Sequence, residues 1–543
     1  MTTNTLHGSA VSESFAHEVP FITECNFNFR RPYSPPVGNH VNFSFDVLWV
    51  STSYLDAFNF LSTPSLPIEI ENMLASPLVV TQITGEGTQL RVLRDDYTPA
   101  TGDMIPMGGN RTYLVVKADS RVRDIQTTLA FTISYAEFSR VVSVVVSGEV
   151  PYGVITHAPG VDKYKERMLW ASDVMQSFDG KEQRINLKSA PRYELEYPVT
   201  LQWEDRARFS NFLYGLVGSS FLAPLWADKM ILVSSAHAGS SSLTLDTNSR
   251  AIHPGDKLLL ILGPNHYTAV KVQSTTQSSH LQVTLQAPLL ANWPENTPVY
   301  LLSNHYLGNY TQQQPYLPFT STVLKLTTAD HLQHIPAPTG VPTYRGHTVR
   351  ESILNWDGNL EVKYDTLVDT IDNQTGGFSI YDIKGPTLNT QRRREFLHGQ
   401  DKVWEFRRYV NSLKGRVTPF WVDSDSVDLE LTGDVPANGV VLKVKRTGFV
   451  DNNVLTNCTD IAIKTHTLGV LYRKVTAATS YSESEDHITL DSALSDSIVR
   501  TADVRMISYM LLVRLDSDVV EITHYGEHLA TAEYLVKGLR INV

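Results

Sequence analysis

Phe209, Phe212, Leu213 and Leu216 recur at i, i+3, i+4 and i+7, the spacing of one apolar helix face. A shift of 197 residues lands on Phe406, Tyr409, Val410 and Leu413, the same stripe. The spacing predicts helices over 204–217 and 401–414. Glu204, Asp205 and Asp401 open them, where the helix dipole favours negative charge. Gly218 and Gly415 follow them, as a left-handed terminus requires. Pro224-Leu225-Trp226 then reads against Pro419-Phe420-Trp421.

Downstream, the stretch from Val283 reads against that from Ile488 at a shift of 205 residues. Thr284 meets Thr489, Leu285 meets Leu490, Leu289 meets Leu494, Val299 meets Val504 and Ser303 meets Ser508. Two matches in the same order imply an internal duplication. Intervening loops of unequal length account for the growing shift.

The rest of the pattern alternates with a period of two. Leu78–Ile83, Leu90–Leu93, Thr112–Lys117, Thr128–Ser134 and Arg140–Ser147 are short runs divided by Gly, Asp and Pro clusters, the rhythm of an immunoglobulin-like sandwich. Tyr193, Leu195 and Tyr197 alternate with Glu194 and Glu196, a half-buried strand. The expected fold is mainly β and multidomain: an immunoglobulin-like β-sandwich followed by two tandem β-barrel or sandwich repeats, each with one flanking helix. The expected divisions are an N-terminal arm and β-hairpin at 1–50, the sandwich at 51–150, a first repeat at 151–310, a proline-rich linker at 311–345 and a second repeat at 346–543.

Length and composition support several domains. A chain of 543 residues exceeds what one core serves, and 42% apolar with 10% aromatic residues is ordinary for a globular protein. No run approaches ~18 consecutive apolar residues, so no membrane span is expected. The first fifteen residues lack the basic-then-apolar pattern of a secretory signal. Cys25 and Cys458 stand far apart and suggest neither a disulfide framework nor a metal site. A net charge of −11, with both signs mixed along the chain, argues against a surface built to grip nucleic acid.

Chemistry is hard to find. His331 and His334 lie three apart in a proline-rich stretch that fixes no ligand geometry, and read as surface histidines. Asp423, Asp425 and Asp428 resemble a calcium loop only faintly, lacking its glycine and distal glutamate, and read as a solvated loop. Arg30-Arg31 reads as a strand end ahead of an anion site. Trp226 and Trp421 suit sugar stacking, but their placement behind a helix favours a core contact. There is no Gly-x-Ser-x-Gly elbow, no phosphate-binding glycine loop and no His-Glu-x-x-His. The expectation is a protein that is not an enzyme, with no catalytic, cofactor-binding or metal-ligating residue and no cofactor.

Phe178-Asp-Gly-Lys-Glu182-Gln-Arg184, then Pro191-Arg192-Tyr193, a strand, a helix and Pro-Leu-Trp, resemble the tube-forming domain of phage distal tail and baseplate proteins. Members of that group often show Gly-x-Glu-x-Arg before an Arg-rich strand. The closing stretch from Leu511 is similar to the end of such tail proteins. The resemblance covers about 170–228 and 392–543. In the second copy Gly-x-Glu-x-Arg gives way to GFSIYDIKGPTLNTQ. The resemblance implies a β-barrel with a flanking helix, set in a ring around the DNA conduit. It implies a structural protein of the virion, at the tail tip, joining the tail tube to the baseplate or fibres. The implied partners are further copies in a trimeric or hexameric ring, the tail tube protein, and baseplate hub and fibre proteins, with DNA only in transit and no membrane. A carbohydrate-binding host-adhesion protein is the alternative, and a polysaccharide-degrading tail enzyme a weaker one.

Overall fold

A computed structural model describes residues 48–539, apart from short internal stretches, the longest of which are 247–251, 314–319, 330–334, 355–360 and 383–387. The N-terminal arm and hairpin, Arg30-Arg31, Cys25, His331 and His334 lie outside the described residues. The chain is mainly β, with two α-helices among the described residues, and separates into two compact units. The first comprises the described residues up to His157, with 207–248 and 252–306. The second comprises the described residues of 158–206 and 307–539.

The first unit begins with a two-sheet sandwich. One sheet orders β1 (Leu48–Val50), β3 (Ser65–Asn72), β7 (Asn110–Lys117) and β5 (Leu90–Arg94). The other orders β2 (Tyr54–Asp56), β9 (Phe138–Glu149), β8 (Asp124–Tyr135), β4 (Leu78–Thr84) and β6 (Met104–Ile105). All five strands predicted between 78 and 147 form, with ends shifted by a few residues. Ile68, Ile70, Tyr113, Val115, Phe131, Ile133 and Val144 alternate inward from both sheets into one core.

A six-stranded closed barrel follows in the same unit. Its strands are β15 (Met230–Leu232), β16 (Ser242–Asp246), β17 (Lys257–Gly263), β18 (His266–Gln277), β19 (Leu281–Leu285) and β20 (Pro298–Leu307). Pairing runs β15-β16-β19-β18-β17-β20 and returns to β15, so no edge is left open. Phe58 from the sandwich packs with Leu259, Ile261 and Ala269 of this barrel. β14 (Phe221–Pro224) pairs with β20, and helix α1 (Trp203–Gly215) precedes it.

The second unit contains an eight-strand antiparallel sheet. Its order is β21 (Gln312–Gln313), β22 (Thr320–Thr328), β13 (Arg192–Leu201), β10 (Tyr164–Leu169), β35 (Val519–His524), β36 (Leu529–Gly538), β28 (Leu388–His398) and β25 (Val362–Asp365). Hairpin β11 (Ser172–Gln176) with β12 (Glu182–Asn186) follows β10, and hairpin β26 (Val368–Asp372) with β27 (Phe378–Asp382) follows β25. A small hairpin, β23 (Thr343–Tyr344) with β24 (His347–Thr348), precedes β25 in the chain. Thr320–Thr328 and this hairpin correct the expected linker at 311–345: the alternation of Leu324 and Leu326 with polar residues makes a central strand there.

Helix α2 (Gln400–Leu413) lies on one face of the sheet. Val403, Phe406, Tyr409, Val410 and Leu413 are all buried, against Met168, Tyr193, Ile522, Ala530, Ala532 and Val536 among others. Lys414 and Gly415 both take the left-handed conformation that ends the helix, at φ 54° and 68°. The second unit closes a barrel of its own from β30 (Val441–Lys445), β31 (Asp460–Thr465), β32 (Val470–Ser480), β33 (Glu485–Leu490) and β34 (Val504–Leu515). The gap between β34 and β30 is bridged by Leu429 to Ile507 and by Leu431 to Val444. β29 (Phe420–Asp423) pairs with β34.

The two barrels share strand order and even irregularities. A bulge lies between Val272 and Ser274 where β18 meets β19, and another between Val475 and Ala477 where β32 meets β33. Gly239 and Asn438 both sit at positive φ in the turns before the equivalent strands β16 and β30. The duplication is therefore real at the level of topology. Its details correct the sequence alignment in three places. Phe221 opposes His305 and Phe420 opposes Val513, so Leu222 corresponds to Trp421, and Trp226 does not. Met230 opposes Val299 and Leu429 bridges Ile507, so Val299 corresponds to Ile507 and not Val504, and Ser303 to Leu511 and not Ser508. A short 3-10 turn, Thr501–Asp503, is the inserted material. Finally, the first repeat is not one compact body: its barrel belongs to the first unit, and its strands β10, β13 and β22 belong to the second.

Candidate assembly surface

The eight-strand sheet is two four-strand modules laid end to end. The first is β21-β22-β13-β10 and the second β35-β36-β28-β25, each ending in a strand followed by a five-pair hairpin. They meet where β10 pairs with β35, from Tyr164 opposite His524 to Leu169 opposite Val519. Such a contact joins the head of one module to the tail of the next.

Buried charge reinforces this junction. Glu166 of β10, Arg407 of α2 and His524 of β35 form a cluster with almost no solvent exposure, in which Arg407 Nη2 donates to Glu166 Oε2 and His524 Nε2 lies 3.3 Å from the same oxygen. Burial pushes the Glu166 carboxyl up, but the Arg407 guanidinium and His524 outweigh it and hold it down to about 2. Burial pushes the His524 imidazole below its ordinary value, against the pull of Glu166. Arg514 Nε and Nη2 donate to the two Glu182 oxygens at 2.7 and 2.9 Å, a bidentate pair. Glu182 is the glutamate of the Gly-x-Glu-x-Arg segment, and this is its role: it ties hairpin β11–β12 to β34. Asp518 accepts from Ser172 Oγ at 2.6 Å and from the Ser172 and Arg416 backbone N–H groups.

The sheet face away from α2 carries a transverse row of charge. Glu194, Arg167, Glu521, Glu533 and Arg394 stand opposite one another across β13, β10, β35, β36 and β28. Arg167 Nε donates to Glu521 at 2.8 Å and its Nη1 to Glu196 at 3.2 Å. Lys165 lies 3.5 Å from Glu521, Lys325 3.6 Å from Glu196, and Arg394 3.5 Å from Glu533; Arg392 Nε donates to Glu533 at 2.6 Å. The Arg-Arg-Arg-Glu-Phe run thus splits by strand alternation: Arg392 and Arg394 join this row, while Arg393 and Glu395 turn to the buried face. There Glu395 holds Arg350, which stacks over Phe406 and Tyr409 at 5.3 and 4.9 Å.

The residues singled out for chemistry have structural roles where they are described. Asp423 and Asp425 both hold Lys464 Nζ, at 2.5 and 3.1 Å, and Asp428 accepts the Tyr509 backbone N–H at 2.7 Å. This loop is tied down and not merely solvated, which corrects that reading. Trp421 is buried, its indole N–H donating to the Tyr344 carbonyl at 2.9 Å. Trp226 is half-buried, edge-on to Tyr300 at 4.9 Å. Burial pushes the Cys458 thiol up to about 11. Among the described residues no group of three or more His, Cys, Asp and Glu is placed to hold a metal ion. No helix among them is long and apolar enough to cross a membrane.

The junction itself was not foreseen from sequence. Its only visible signals were Glu182 and the arginine run, and their partners lie hundreds of residues away. No known protein family matches the chain, and no curated protein matches it.

Proposed function

We propose that the chain is a structural ring component of a phage tail tip or baseplate, joining the tail tube to the baseplate or fibres around the DNA conduit. The observation that carries this reading is the head-to-tail junction β10–β35: two copies of one module continue a single sheet, the arrangement a ring of such modules needs. The sequence resemblance to tube-forming domains supplies the setting. Three chains would fill the six positions of a sixfold tube, and a hexamer with one module per chain in the ring is the competing arrangement.

The charged row suits a conduit. Lys165, Arg167, Lys325, Arg392 and Arg394 each lie against a carboxylate, so the face does not present a basic stripe that would hold phosphates in place. The sandwich serves as an attachment module for the baseplate or fibres. Cryo-electron microscopy of purified virions tests the proposal: density for this chain is expected in a ring at the tail tip. Its absence from virions, or glycan-array binding by a monomer, would overturn the reading in favour of an adhesion protein.

A further inference from the structure

A lysine amine and two aspartates meet on the outer face of the second barrel. Lys464, near the end of β31, holds its Nζ 2.5 Å from Oδ2 of Asp423, the last residue of β29. The same Nζ donates to Asp425 Oδ1 at 3.1 Å. We propose that Lys464 and Asp423 condense into an amide cross-link, with Asp425 carrying the protons and Arg393 receiving the developing oxyanion.

Strand alternation brings these groups together. Ile461 and Ile463 point into the barrel core, so Ala462 and Lys464 face outward. Trp421 and Asp423 share one face of β29, and Trp421 packs with Ala462 and Met510. The amine and the carboxyl therefore stand at the rim of an apolar cluster, with Lys464 and Asp425 18% exposed and Asp423 12%. Met510 of β34 opposes Asp423 on one side and Asp460 on the other. The Lys464 side chain thus crosses β34 to reach a strand that its own strand does not pair with. Asp425 sits at φ 53°, a region few non-glycine residues adopt.

Arg393 of β28 completes the site. It is 2% exposed; its Nη1 donates to the Asp423 carbonyl at 2.9 Å, and its Nη2 lies 3.7 Å from Asp423 Oδ1. Among the described residues neither Nη2 nor Nε has a hydrogen-bond partner. A buried donor aimed at Oδ1 is placed to take up negative charge that grows there.

The step balances without a co-reactant. The Lys464 ammonium passes one proton to the Asp423 carboxylate by way of Asp425, which leaves an amine beside a carboxylic acid. Cγ is one bond beyond Oδ2, at about the 3–3.5 Å of a near-attack pair. Nζ attacks Cγ, a C–N bond forms, and Oδ1 becomes the oxyanion. Asp425 then moves a proton from the nitrogen to Oδ2, the Cγ–Oδ2 bond breaks, and one water leaves. An ammonium and a carboxylate become one neutral amide.

The first copy shows that the fold does not need charge at this place. Asp423 follows Phe420 by three residues, as Pro224 follows Phe221. Ile463 opposes Ile507 and Leu260 opposes Val299, so Lys464 corresponds to Ile261. Asp425 then corresponds to Trp226. Leu222, Leu259 and Leu302 cluster there as Trp421, Ala462 and Met510 do in the second copy. Apolar residues close the seam, and a largely buried ion group stabilises no better than they do. What the second copy adds is an amine against a carboxyl.

Intact mass of the denatured full chain, with peptide mapping, tests this. The wild type is expected one water lighter than its sequence, with a branched peptide joining the Asp423 and Lys464 segments. Lys464→Arg keeps a cation between the aspartates but has no amine to acylate. It is expected at full sequence mass, with an unchanged circular dichroism spectrum and a lower urea midpoint. Asp425→Asn is expected to fold and to remain mostly at full mass. A wild type at full sequence mass after prolonged incubation overturns the proposal and leaves an ordinary ion triad. A lost water that maps to any other pair of residues overturns it as well. A cross-link that forms as completely in Asp425→Asn overturns the role given to that aspartate.

Discussion

Tyr409 on α2 and Phe420 on β29 meet edge to face at 5.9 Å and 89°, and Phe212 and Phe221 repeat the contact in the first copy at 5.7 Å and 81°. Such a pair fixes how a helix seats on the strand that follows it, and adds about 0.5–1.5 kcal/mol to the burial itself. The two copies keep this geometry through a Tyr/Phe exchange.

Charge at this contact is expected to be severe in one copy and milder in the other. Tyr409 is 2% exposed, so Tyr409→Asp removes a packed ring and buries a carboxylate beside Arg350, whose charge Glu395 already neutralises, and costs several kcal/mol, about half of a domain's stability or more. Phe212 is only half-buried, so Phe212→Asp is expected to cost less. Thermal unfolding of both variants checks the order.

Arg407 and Glu166 form a buried pair. Arg407→Met leaves the buried Glu166 carboxylate without its guanidinium, with His524 as the remaining neighbour, and is expected to destabilise the second unit by about 3–5 kcal/mol. Arg407→Met with Glu166→Leu replaces the whole pair with apolar groups and is expected to recover most of that loss. A double-mutant cycle in urea measures the difference; equal losses in the single and double variants would refute the assignment.

Acid is expected to destabilise the second unit in two steps. The folded His524 has a lowered pKa, so the unfolded chain takes up its proton first, and stability falls as pH drops below the ordinary 6.5. Glu166 titrates near 2 when folded, against an ordinary 4.5, so its contribution is present above 4.5 and fades as pH falls towards 2. His524→Gln should remove the first step and keep the second. Urea midpoints followed from neutral to acid pH read both.

Gly415 sits at φ 68°, where an added Cβ would come within 2.4 Å of Asp518 Oδ1 and 2.9 Å of Trp170 Cβ. Gly415→Ala therefore combines left-handed strain with a collision at the junction, and roughly 1–3 kcal/mol of destabilisation is expected. Chemical denaturation against wild type is the measurement.

Local pattern alone was enough for the helices and many strands. The stripe Phe406, Tyr409, Val410 and Leu413 is a short-range signal, and α2 buries each of these residues. The strands of the sandwich and the existence of a duplication were legible for the same reason: period and recurrence are properties of neighbouring residues. The helical stripe of α1 has the same period, yet only Phe209 is buried within that helix, because burial depends on what covers a face.

Pairing was not legible. Nothing near Glu182 announces Arg514, and nothing near Glu166 announces Arg407 and His524, because ion pairs between distant strands follow from sheet order and leave no periodic trace. Loop insertions hid the true correspondence of Trp421 with Leu222, since a run of similar letters can slide while hydrogen-bond register cannot. By itself the sequence determined that this chain is β-rich and carries one module twice, because side-chain alternation and helical period are local consequences of backbone geometry. Only the tertiary structure decided that β10 pairs with β35, because strand partners are chosen by long-range packing across loops of arbitrary length.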